Sequence, residues 1–208
     1  MRKRVKIDFK QPMVIVSSSE LTVAFFSQMR KDCRYDNLTV VHSPSRTLKE
    51  LVSNTARIKN VGRYKMAYAV FSFSEFSDAT PENVIELEKS SESRKIGLAY
   101  TAHSIMLYWA LHFTTLTGDE DANELNSIIT RYVPSFKHSV EYLQGEGSGF
   151  HLTLFPRKAT AALNASSLNN SYRMKNGIEA INYTKLLNTI TKYCGEADVS
   201  RNQKVISG

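Results

Sequence analysis

Apolar residues along this chain fall into short unbroken runs that alternate with stretches of helical spacing. Met13-Val14-Ile15-Val16 has no polar interruption, as in a parallel strand buried on both faces, and predicts a strand over residues 13 to 17. Leu21, Ala24, Phe25, Met29 and Cys33 then recur at helical spacing. Ser17-Ser18-Ser19-Glu20 ahead of them has capping-box spacing, with Ser17 placed to cap. Tyr35-Asp36-Asn37 turns the chain into Leu38-Thr39-Val40-Val41, a second strand. Beyond the loop Ser43-Pro44-Ser45-Arg46, Thr47-Leu48-Lys49-Glu50 is another capping box, and its helix carries Leu48, Leu51, Val52 and Ile58 on one face. Residues 66 to 71 predict a third strand. Thr80-Pro81 opens a helix with proline in its first turn and Val84, Ile85 and Leu87 on its apolar face, and Ser90 to Arg94 is expected to be polar and exposed. Ile96-Gly97-Leu98-Ala99-Tyr100 is a fourth strand.

Strands alternating with helices mean a parallel sheet with right-handed crossovers. The remainder is expected to be helical. Ser104 to Phe113 is strongly apolar, and Asp121 to Tyr132 sets Leu125, Ile128, Ile129 and Tyr132 on one face before Pro134. Residues 137 to 143 predict a short helical turn, 144 to 149 a flexible glycine-rich loop, and Ala159 to Leu168 and Tyr183 to Tyr193 two amphipathic helices. The expected fold is therefore α/β: a parallel four-stranded sheet flanked by helices, with a helical C-terminal half. A basic segment over 1 to 11, a single domain over 12 to 194 and a flexible tail over 195 to 208 follow from the same pattern.

Composition narrows the picture modestly. The chain has 208 residues, 42% hydrophobic, which suffices for one substantial core. The formal charge of +7 favours nucleic acid or an acidic partner, and much of the excess sits in the first ten residues. Cys33 and Cys194 lie far apart and form neither a metal-ligand spacing nor a disulfide framework. No apolar h-region follows the basic start, so a cytoplasmic location without membrane attachment is expected. Ile105 to Phe113 is too short for a membrane span.

Candidate chemistry concentrates at two strand ends. In an open α/β sheet, ligands and metals sit beyond the carboxyl ends of the strands. Here those ends read Ser17-Ser18-Ser19-Glu20 and Ser72-Phe73-Ser74-Glu75-Phe76-Ser77-Asp78, mostly hydroxyls. A magnesium-dependent phosphoryl-transfer enzyme would place several carboxylates there. Glu20, Glu75 and Asp78 are the residual acids that could form a shifted metal site. The serines 17 to 19 could hold an anion at a helix start, although helix capping is the commoner reason for serines there, and no glycine-rich phosphate loop accompanies them. His42, His138 and His151 are isolated in the sequence, and His112 reads as a packed or capping residue. Arg2, Lys3 and Arg4, with Arg157, Lys158, Arg173 and Lys175, form the candidate phosphate-contacting set.

The order of motifs resembles the RloB family, a Toprim-related group linked to bacterial abortive infection and antiphage defence, over about residues 12 to 190. The match rests on Ile96-Gly97-Leu98-Ala99-Tyr100 followed by Leu107-Tyr108-Trp109-Ala110-Leu111-His112-Phe113, and on the later segment Pro156-Arg157-Lys158-Ala159-Thr160-Ala161-Ala162-Leu163-Asn164-Ala165. Family members carry a Glu-Gly pair and a Thr-Glu after the first strand, where this chain has Ser18-Ser19 and Thr22-Val23. After the third strand they carry an Asp-x-Asp type motif, where Ser72-Phe73-Ser74 stands here. The family's Asn-Pro and downstream Glu fall at Ala102, His103 and Met106. The resemblance implies a Toprim-like fold with degenerate positions Ser18, Ser72 and Ser74, no catalytic or metal-ligating set, and partnership with an ATPase or effector complex. The expected function is binding, of a protein partner or of nucleic acid, without a cofactor. The alternatives are a divergent Mg²⁺-dependent nuclease using Glu20, Glu75 and Asp78, and a decoy that copies a nuclease subunit.

Overall fold

The computed structural model describes residues 11 to 200, and Arg2, Lys3 and Arg4 lie outside them. Its elements run β1 (Met13–Ser17), α1 (Glu20–Asp32), β2 (Leu38–His42), α2 (Leu48–Val61), β3 (Met66–Ser72), α3 (Pro81–Glu92), β4 (Ile96–Thr101), α4 (Ile105–Ala110), α5 (Ala122–Tyr132), α6 (Val140–Gln144), α7 (Phe150–Leu154), α8 (Lys158–Asn176) and α9 (Tyr183–Cys194). The four strands form one parallel sheet in the order β2-β1-β3-β4. The chain thus steps from β1 to β2 on one side, then crosses to β3 on the other. The turning point of the topology lies between β1 and β3, whose ends Ser17 and Ser72 open onto the same edge of the sheet.

Alternation within each strand builds two cores. Met13 and Ile15 of β1, with Tyr68 and Val70 of β3, face α1, α4, α7 and α9. Val14 and Val16, with Ala67, Ala69 and Phe71, face α2 and α3. Both faces of β1 are therefore buried, which is why its sequence is a continuous apolar run. Gly97 of β4 sits beside Tyr68 of β3, where an added Cβ would lie 2.4 Å from the phenol ring. Glycine there lets the ring cross β4 and bond Thr189 of α9 through its hydroxyl at 2.9 Å.

The outer edge of β4 is closed by side chain and loop. Asn182 accepts from the Tyr100 amide at 2.6 Å and donates to the Leu98 carbonyl at 3.0 Å, and the Ala102 amide donates to Ala180 at 2.7 Å. The C-terminal segment docks against β4 in this way, covering an edge that would otherwise present unpaired backbone groups.

Several local expectations need correction. Ser19, not Ser17, caps α1: its hydroxyl accepts from the Thr22 amide at 3.2 Å. Strand β1 runs through Ser17, which is fully buried and accepts from the Ser19 amide, so the helix begins later. Ser91 is buried, because α3 continues to Glu92 and places Ser91 two turns beyond Val84 on the sheet-facing side. On α5, Leu125 and Ile129 are buried but Tyr132 is 46% exposed. Residues 144 to 149 do not swing free: Gln28 of α1 donates to the Leu143 carbonyl and, at 2.8 Å, to the Gly147 carbonyl. The short α7 follows directly, an element that five apolar-biased residues do not announce. Helix α8 extends to Asn176 through a polar second half. Of the segment from Gly195 onward, residues 195 to 200 are described. They lie against the end of α1, with the Asp198 amide donating to the Cys33 carbonyl and Arg34 paired to Asp198 at 2.7 Å.

Candidate functional site

The cleft at the topological turning point has a volume of about 350 Å³. Four helical turns begin at its walls. Ser19 caps α1, Ser72 precedes a 3-10 turn over Phe73–Glu75, Ser104 caps α4 and Ser139 caps α6, and all of them line the cleft. The hydroxyls have local work. Ser19, Ser104 and Ser139 accept from the amides of Thr22, Met106 and Tyr142 at 3.2, 3.3 and 3.1 Å, respectively. Ser72 shares a hydrogen bond of 3.0 Å with Thr101 at the end of β4, and Ser74 donates to the His103 carbonyl. Serine at Ser72 and Ser74 therefore ties the end of β3 to the end of β4. Helix capping accounts for the serine cluster without a bound anion.

The acid that lines this cleft is Glu75. Its Oε1 accepts from the Ser72 amide at 3.1 Å and its Oε2 accepts from the Ser18 hydroxyl at 3.1 Å, so it bridges the ends of β1 and β3. Burial pushes its pKa upward, against the opposing effect of the hydrogen bonds from Ser18 and Ser72. His138 lines the same cleft, packs edge-on to Trp109, and has its pKa lowered by burial. Both groups are thus biased toward their neutral forms, in a setting of hydroxyls.

The other residual acids lie elsewhere. Glu20 points to solvent on the first turn of α1, its carboxylate 70% exposed and 4.0 Å from His42, whose Nε2 lies 3.0 Å from the Ser18 carbonyl. Asp78 reaches the start of α2, where it accepts from the amides of Leu48 at 2.7 Å and Lys49 at 3.3 Å. It is a capping carboxylate supplied from outside the helix, favoured by the positive end of the helix dipole. Glu20, Glu75 and Asp78 accordingly do not assemble into one site. Among the described residues, no cluster of three His, Cys, Asp or Glu side chains is arranged to hold a metal ion. The polar groups lining the cleft are the Glu75 carboxyl, the His138 ring and the hydroxyls of Ser19, Thr22, Ser72, Ser74, Ser104 and Ser139.

The candidate phosphate-contacting residues are also spread apart. Arg157 lies over the rings of Phe113 and Tyr132, at 5.3 and 5.9 Å from their centroids, and these rings stack on each other at 4.7 Å. Lys158 rests 4.7 Å from the centroid of Phe155. At the far end of α8, Arg173 pairs with Glu179, and Lys175 with Asp119 at 3.6 Å. Nineteen residues of helix separate the two ends, roughly 28 Å at 1.5 Å per residue. Arg157, Lys158, Arg173 and Lys175 thus form two engaged pairs instead of one basic face.

Sequence spacing leaves His151 isolated, yet the fold brings it to Asp32, with Nδ1 3.0 Å from Oδ2 and both side chains under 10% exposed. Residues 119 positions apart carry no sequence signal of such a contact. His112 is packed as expected, with Nδ1 3.0 Å from the Tyr108 carbonyl, and burial lowers its pKa to about 4. The thiols of Cys33 and Cys194 are both buried and unbridged. Among the described residues, no helix is long and apolar enough to cross a membrane. Comparison of the chain with protein-family models, with curated proteins and with solved structures found no match in any of the three.

Proposed function

We infer that this chain is a divergent, metal-independent protein of RloB-like, Toprim-like type, which acts in the cytoplasm by holding a protein partner in a host-defence or mobile-element setting. The observation that carries this reading is the state of Glu75. Among the described residues it is the one carboxyl lining the strand-end cleft, both of its oxygens accept hydrogen bonds from the protein, and burial favours its protonated form. Such a group braces two strands and is poorly suited to gripping a divalent cation. The replacement of acids by serine at Ser18, Ser72 and Ser74 supports the same reading, because each hydroxyl bonds a neighbouring strand end or the Glu75 carboxyl. A protein partner is favoured over nucleic acid because Arg173 and Lys175 are already paired with carboxylates and Arg157 lies on aromatic rings. The RloB resemblance makes an ATPase subunit the first partner to test.

The test combines cleavage and association. The full chain is incubated with labelled single- and double-stranded RNA and DNA, with and without Mg²⁺ or Mn²⁺, beside Glu75→Gln. The expected result is no metal-dependent cleavage. Cutting that needs the metal and disappears in Glu75→Gln overturns the reading in favour of a nuclease. Stoichiometric association with a co-expressed ATPase or nuclease subunit supports protein binding, the latter as a decoy. Tight nucleic-acid binding that weakens steeply with salt transfers the function to the nucleic-acid class.

A further inference from the structure

A second cavity, of about 120 Å³, lies on the other side of α1 from the sheet edge, between α1, α4, α7 and α9. Its walls mix apolar side chains, Phe25, Met29, Leu154 and Ile190 among them, with polar ones such as Tyr35 and Thr191, and it opens to the surface beside the exposed Lys158 and Glu196. Two imidazoles line it, those of His112 and His151. Their tautomers follow from their partners. The Tyr108 carbonyl accepts only, so His112 carries its proton on Nδ1, 3.0 Å away. The Asp32 carboxylate accepts only, so His151 carries a proton on Nδ1, 3.0 Å away. His112, whose pKa burial lowers, is left with a lone pair on Nε2.

The dyad is held with some care. Asp32 ends α1, at the negative end of the helix dipole, where a carboxylate is disfavoured unless a cation or strong donor meets it. The His151 backbone is fixed separately, its amide donating to the Gln28 side chain at 3.1 Å. The His151 ring also packs against Phe25 and Phe155.

We propose that this cavity binds a small planar aromatic molecule carrying a hydrogen-bond donor, its ring between Phe25 and Leu154 and its O–H or N–H donated to Nε2 of His112. The volume suits one six-membered ring, since a cavity of about 150 Å³ lined by aliphatic and aromatic side chains takes up benzene. The apolar part of the wall supplies affinity, and the His112 acceptor set in it selects a donor. The site is separate from the strand-end cleft and does not depend on the function assigned to that cleft.

Phenol and toluene are the probes: equal in ring size, with and without a donor. Binding is followed at pH 7.5 by histidine ¹⁵N chemical shifts in the unmodified full chain, together with amide shifts of residues 25, 29, 151 and 154. Phenol is expected to saturate the amide shifts and to move the Nε2 resonance of His112, while toluene leaves it in place. His112→Phe, which removes the acceptor and leaves the Asp32–His151 pair intact, and His151→Gln, which can still donate to Asp32 and keeps His112, are then compared. His112→Phe should weaken phenol about tenfold or more and leave toluene within about threefold, whereas His151→Gln should change the two probes alike. Phenol that produces no saturable shifts at millimolar concentration, or that saturates without moving the His112 Nε2 resonance, overturns the proposal. So does loss of phenol and toluene to the same degree in His112→Phe.

Discussion

Replacing Asp78 with alanine tests whether that carboxylate is structural. Asp78 accepts from the Leu48 amide at 2.7 Å and the Lys49 amide at 3.3 Å, two of the donors that no residue within α2 can satisfy. Thr47 caps the same helix, but its hydroxyl serves the Glu50 amide at 3.1 Å and does not compensate. Losing a capping carboxylate costs about 2 kcal/mol at a partly exposed helix start. For a chain of this size each kcal/mol lowers Tm by about 2–4 °C, so Asp78→Ala should melt about 4–8 °C below the unmodified protein. Asp78→Asn, which keeps an acceptor and loses the charge, should recover about half of that. The assay is calorimetric or circular-dichroism melting, repeated with 10 mM Mg²⁺. A ligand that binds only the folded state raises Tm, so a metal site would show itself as a magnesium-dependent rise. The expected result is the same Tm with and without Mg²⁺ in all three proteins. A magnesium-induced rise in the unmodified protein that vanishes in Asp78→Ala, with little change in basal stability, would refute the capping account.

Two further outcomes follow from buried polar groups. His112 is neutral in the folded protein, its pKa lowered from 6.5 to about 4 by burial, whereas the unfolded chain takes up the proton near pH 6.5. Its contribution is complete above pH 6.5 and is lost as the pH falls toward 4, amounting to about 3 kcal/mol across that window, and His112→Phe should flatten this part of a stability-against-pH curve measured by denaturant unfolding. Gln28→Ala removes the partners of the Leu143 and Gly147 carbonyls and of the His151 amide, and a loss of about 3 kcal/mol in urea unfolding is expected; a loss under about 1 kcal/mol would mean that 144 to 149 is not held by Gln28.

The order of strands and helices was legible in the chain because each burden of burial leaves a local trace. A strand covered on both faces must be apolar at every position, as Met13 to Val16 are, and a helix start must satisfy orphan amides, as Thr47 and Thr80 do. The cleft between β1 and β3 could be placed for the same reason, since its location follows from topology. What its residues do could not be read so directly. Glu20, Glu75 and Asp78 look alike in sequence, and only the fold turns one to solvent, one across two strand ends and one onto a neighbouring helix.

Local pattern therefore determined the four strands, their parallel sheet and the longer helices of this protein, because secondary structure and burial act over neighbouring residues, whereas the short α7 is not announced by it. Tertiary structure alone decided the pairing of Asp32 with His151, the closing of the β4 edge by Asn182 and the dispersal of the basic residues of α8, because each depends on contacts between segments whose separation along the chain leaves no periodic signature.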